Sequence, residues 1–139
     1  MKANMRKIFQ ILKIYPLSSM IIATIWILCF MDVPETPLSD VSFIDKWTHL
    51  AMYGTLCAVL CVETVRHYRR AASRVRIALT AWLLPVVMSG IIEILQATCT
   101  GGRRSGEWMD FAANSVGATI GVVIGTLLAV YAARGRKDY

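Results

Sequence analysis

The sequence is poor in charge. Only 17% of its 139 residues are Asp, Glu, Lys or Arg, against about 25% in an ordinary soluble domain. The charges gather in short clusters and leave long uncharged runs between them. A disordered chain is excluded, because that class needs low hydrophobicity and 56% of these residues are hydrophobic. A water-soluble enzyme is disfavoured on the same ground. Chemical signatures are missing as well. No pair of its four cysteines has zinc-type spacing. There is no P-loop, no dinucleotide fingerprint and no zinc-protease helix, and no Ser stands in a recognisable nucleophile motif. Neither a cofactor nor a metal is therefore expected. Internal repeats and low-complexity segments are absent too. What remains is an integral membrane protein, expected as one domain over 1–139.

Four apolar runs, 14–31, 47–65, 77–99 and 111–133, have the length that crosses a ~30 Å hydrocarbon core, about 17–25 residues. The fold expected is an all-α bundle of four transmembrane helices. Pro16 falls in the first turn of the first run, where its missing N–H costs least. Pro85 lies inside the third run and should kink it. The first run is longer than the core of a signal peptide, about 7–15 residues, and no small-x-small site follows it. It is read as a helix.

Lys and Arg mark the cytoplasmic side of a membrane protein. Twelve of the fifteen fall at the N-terminus, in the second connection and at the C-terminus, leaving Lys46, Arg103 and Arg104 on the other side. Both termini are expected in the cytoplasm, with the first and third loops outside. The net charge of +6 is then a topology signal with some attraction to anionic lipid, and nucleic acid is not an expected partner. Glu63 lies beside Arg66 and is expected to pair there. Cys29 and Cys99 lie near the outer ends of their spans, so a disulfide between them is geometrically open.

Ionisable groups inside spans are costly, and each is a functional hypothesis by default. Asp45-Lys46-x-x-His49-x-x-x-Tyr53 opens the second span, Glu93-x-x-Gln96 lies near the end of the third, and Arg103-Arg104 precedes Asp110-x-x-x-Asn114 at the fourth. Spacings of three and four put each group on one helix face. At 1.5 Å per residue, His49, Glu93 and Asn114 all lie roughly 6–9 Å below the outer boundary, and Tyr53 about 12 Å below it. Blander roles exist for each. Asp45 fits a capping box from Ser42, Asp110 fits a helix N-terminus, the arginines fit headgroup anchors, and Tyr53 and Asn114 fit interhelical hydrogen bonds. The coincidence of depth favours a shared binding site formed by Asp45, Lys46, His49, Tyr53, Glu93, Gln96, Arg103, Arg104, Asp110 and Asn114. Gly117, Gly121 and Gly125 share one face of the fourth span and are expected to pack it tightly against another helix.

This order of motifs, with Arg104 six residues before Asp110 and Asn114 followed by Gly117, resembles the VanZ-like family of small bacterial membrane proteins. The family is named for a protein associated with resistance to teicoplanin, a lipoglycopeptide that binds cell-wall precursors. The resemblance implies a multi-pass protein of the bacterial plasma membrane whose outer polar cluster matters, and it supplies no reaction.

Two functions compete. In the first, the cluster binds or modulates an anionic lipid headgroup or a lipid-linked cell-wall precursor, with Arg gripping phosphate oxygens bidentately and an effect on lipoglycopeptide susceptibility. In the second, an intramembrane hydrolase or transferase acts on a lipid-linked phosphate or glycan. His49 with Asp45 or Glu93 would then serve as general base, and the arginines would stabilise developing charge. His49, Glu93 and Asp110 form only a weak candidate set for a divalent ion. A transporter is disfavoured, because the cytoplasmic halves of the spans are uniformly apolar.

Overall fold

The computed structural model describes residues 2–31, 43–68, 73–101 and 106–134. Every regular element among them is helical: α1 (Lys2–Ile14), α2 (Pro16–Phe30), α3 (Ile44–Tyr68), α4 (Arg74–Ile77), α5 (Leu84–Cys99) and α6 (Trp108–Arg134), with a π-helical segment, Ala78–Leu83, joining α4 to α5. Three helices are long and apolar enough to cross a membrane: Ile44–Tyr68, the continuous Arg74–Cys99, and Trp108–Ala132. A fourth crossing follows if α1 and α2, bent by 102° at their junction, are counted as one span. The chain is a multi-pass membrane protein by this measure.

The spine of the fold is the parallel pair α3 and α6, whose contacts advance together from Lys46–Asp110 to Cys61–Thr126. Its closeness has a direct cause in the sequence. A Cβ added to Gly117 or Gly121 would overlap the carbonyl oxygen of Leu50 or Gly54, and one added to Gly125 would stand 2.7 Å from that of Ala58. Only glycine lets the two backbones meet this way, which is how small residues drive helix association in lipid. Below this seam α3 buries Tyr53, Leu56, Cys57, Leu60 and Cys61, and Ile25 and Cys29 of α2 and Ile92 of α5 complete the core. No disulfide links the four cysteines.

The first apolar run, expected as a helix over 14–31, forms α2 within those bounds with Pro16 in its first turn, and a separate helix, α1, precedes it. Ile14 ends α1, Tyr15 has a non-helical backbone at φ −122° and ψ 56°, and Pro16 starts α2 in its first turn. The break is held by a carboxylate from another helix. Glu63 accepts hydrogen bonds from the N–H of Leu17 at 3.0 Å, the N–H of Ser18 at 3.3 Å and the Ser18 hydroxyl at 2.5 Å. The expected Glu63–Arg66 pair is thus replaced by a cap on the N-terminus of α2. The reason is physical: the first turn of a helix carries unsatisfied N–H groups and positive potential, and Glu63 is buried against it.

Pro85 also acts differently from a simple kink. The ring removes the hydrogen bond to residue 81, and the chain responds with the π-helical turn Ala78–Leu83 just before it, one of the recognised ways a helix absorbs such a defect.

Candidate functional site

One end of the α3–α6 pair gathers Asp45, Lys46, His49, Glu93, Asp110 and Asn114. Lys46 in the first turn of α3 lies among three carboxylates: Asp110 Oδ1 at 2.5 Å, Glu107 Oε2 at 2.7 Å and Asp45 Oδ2 at 3.2 Å. These contacts are not equal. The side chains of Asp45 and Glu107 are 58% and 48% exposed, that of Asp110 only 8%. Exposed pairs contribute little, so Lys46–Asp110 is the pair whose loss would leave a charge stranded.

One turn deeper, His49 is oriented from both ring nitrogens. Nδ1 donates to Asn114 Oδ1 at 3.1 Å, and Asn114 donates through Nδ2 to Ser89 Oγ at 2.7 Å. Because the amide oxygen can only accept, the proton belongs on Nδ1. Nε2 is left facing Asp45 Oδ1 and Asp110 Oδ2, both at 3.7 Å. This chain of bonds ties α3, α6 and α5 together at one depth.

Glu93 of α5 is buried close by. Its Oε2 accepts from the N–H of Glu107 at 3.0 Å, the residue just before α6. Its Oε1 has no hydrogen-bond partner among the described residues. Gly106 lies so close over the backbone carbonyl of Glu93 that a Cβ there would overlap it, so the loop before α6 closes directly on the backbone of α5.

The structure therefore gathers Asp45, Lys46, His49, Asp110 and Asn114 at one place, with Glu93 behind them. Gln96 points elsewhere, whereas Tyr53 stays at the edge of the cluster. Gln96 donates to the Cys29 carbonyl of α2 at 2.8 Å, and the Tyr53 hydroxyl is buried beside Ser89 without a well-formed hydrogen bond. Arg103 and Arg104 lie outside the described residues. Glu107 and Ser89 belong to the cluster but were not singled out by the sequence. Ser89 has a signal, since it precedes Glu93 by four and shares its face. Glu107 has none beyond lying three residues before Asp110.

For metal, the set that converges is not His49, Glu93 and Asp110. Asp45, His49 and Asp110 offer donor atoms within 4.8 Å of one another. The Lys46 ammonium already lies against both of those carboxylates, so a divalent ion would have to displace it.

Beside the cluster runs a groove of about 510 Å³ between the first turns of α3 and α6, lined by Phe43, Lys46, Trp47, Leu50, Trp108, Met109, Ala112, Ala113 and Val116. Among the described residues of this lining, Lys46 is the only charged one. Phe43, at the mouth, holds a positive φ of 62°, an outlier for a bulky residue that favours strained, functional positions.

Neither a curated protein nor a solved structure matches the chain. The VanZ/LLP1 family model does, over residues 3–129, a range that takes in every motif on which the resemblance rests and all but the last turn of α6. The chain is a member of the VanZ/LLP1 family.

Proposed function

We propose that this protein binds a membrane amphiphile, laying its chain in the α3–α6 groove and its headgroup on the cluster at Lys46. The observation that carries the reading is the continuity of the two surfaces: an apolar groove whose single charged lining residue among those described, Lys46, is also the centre of the ion cluster. A lipid needs both, an apolar wall for the tail and fixed polar groups for the head. The described cluster sets Asp45, Glu93, Glu107 and Asp110 against Lys46, so it is rich in acceptors. That balance suits a headgroup bearing hydroxyl or amine donors beside a phosphate, as in a lipid-linked cell-wall precursor. Arg103 and Arg104 supply the phosphate contacts in this reading, together with Lys46. By the distribution of Lys and Arg, the cluster faces outward from the bacterial plasma membrane with both termini in the cytoplasm. Occupying such a lipid alters the surface that lipoglycopeptide antibiotics meet.

A second reading, an intramembrane enzyme, draws on the convergence of Asp45, His49 and Asp110. His49 is the general base there, or a metal ligand once Lys46 is displaced.

Incubating the purified protein with bacterial lipid extract, with and without divalent metal, separates the two by mass spectrometry of the recovered lipids. Retention of a lipid of unchanged mass, lost in Lys46→Ala and Arg104→Ala variants, supports binding. A lipid of altered mass that disappears in His49→Ala and Glu93→Ala variants rejects a binding-only role.

A further inference from the structure

We infer that α1 is an interfacial helix that lies along the membrane surface at the end opposite the polar cluster and binds its anionic headgroup layer. Its sequence places Met5, Ile8, Phe9 and Leu12 at the spacing of one helix face, and Arg6, Gln10 and Lys13 at that of the other. Among the described residues the apolar face is left open: Ile8 is 56% exposed and Phe9 63%.

The bend supplies the second observation. α1 turns by 102° from α2, so if α2 runs along the bundle, α1 runs across it, in the plane of the membrane. Depth agrees. The fifteen residues of α2 span only about 22 Å, short of the ~30 Å core. Its N-terminus is pinned by Glu63, which lies five residues before the end of α3, about 7.5 Å inside it. An amphipathic helix at that level sits at the boundary of headgroups and acyl chains, where such helices bury their apolar face about 5–10 Å deep. Arg66 and Arg74, both exposed, flank the same end of the bundle and add to the basic character that anionic lipid attracts.

The test uses full-length protein with Cys99→Ser in nanodiscs of phosphatidylcholine, alone or mixed with phosphatidylglycerol. Nitroxide labels go on Ile8→Cys and Leu12→Cys, and on Lys7→Cys and Gln10→Cys. The labels at 8 and 12 are expected to be reached by oxygen from the lipid and to lie at equal depth, whereas those at 7 and 10 are reached by a water-soluble nickel chelate. Phosphatidylglycerol is expected to deepen the first pair, and an Arg6→Gln/Lys7→Gln/Lys13→Gln variant, read through the labels at 8 and 12, to lose that deepening while keeping the wild-type Tm. Depth that changes steadily from 8 to 12, absence of any difference between faces, or strong spin–spin broadening at 8 from a second copy would each overturn the inference. So would immersion indifferent to phosphatidylglycerol.

Discussion

His49 Nδ1 and Asn114 Oδ1 are 3.1 Å apart, and this bond between α3 and α6 fixes which nitrogen of the imidazole looks toward the carboxylates. Its other end is anchored by Ser89 on α5, so the position of Nε2 depends on three helices at once. An Asn114→Leu substitution removes the acceptor and strands a buried donor on His49, at a cost of about 1–3 kcal/mol. Thermal unfolding in detergent should register the loss, and a double-mutant cycle with His49→Ala should show strong non-additivity.

The Lys46–Asp110 pair makes a sharper demand. Lys46→Met leaves the Asp110 carboxylate, 8% exposed, without its cation, and breaking a buried pair from one side costs about 3–5 kcal/mol. Adding Asp110→Leu removes the stranded charge. The double variant should unfold close to the wild-type temperature while the single one falls well below it. Equal destabilisation by both would mean the pair is not effectively buried.

Glycine at 121 should be intolerant for a reason specific to α3. Gly121→Ala drives a Cβ into the Gly54 carbonyl, whereas Gly90→Ala meets only the Phe111 ring at 3.5 Å, ordinary contact. Melting curves of the two variants should differ, with Gly121→Ala markedly less stable and Gly90→Ala near wild type.

The Glu63 cap predicts a local effect. Glu63→Ala removes three hydrogen bonds to a charged acceptor, each of a class worth about 1.5–3 kcal/mol, although the three are not additive. Hydrogen exchange should speed up first at the amides of Leu17 and Ser18. Glu63→Gln keeps one acceptor oxygen and should show a smaller change.

Much of this organisation was readable from the sequence because the membrane penalises misplaced charge so heavily. Uncharged runs located the long helices, and residue counting from their ends put His49, Glu93 and Asn114 at one depth. Spacing of three and four gives a helix face but not the neighbour that face meets. Gln96 therefore fell into the expected site, whereas in the fold it turns toward the Cys29 carbonyl. Glu107 was invisible for the opposite reason, being a loop carboxylate until the chain closes on Lys46. Glu63 was assigned to Arg66 by proximity along the chain, but a helix N-terminus forty-five residues away in Ser18 offered several N–H groups at once. α1 was not singled out because its basic residues kept it out of the uncharged runs, although its apolar residues recur at helical spacing.

Filling the groove tests the proposed function most directly. Ala113→Trp places a large side chain in the lining without touching the ion cluster. Native mass spectrometry of wild-type and Ala113→Trp protein, each equilibrated with bacterial lipid extract, reads occupancy directly. Wild type should carry one bound amphiphile and the variant none, at unchanged Tm. Equal lipid retention by both proteins would contradict the assignment of the groove as the binding site.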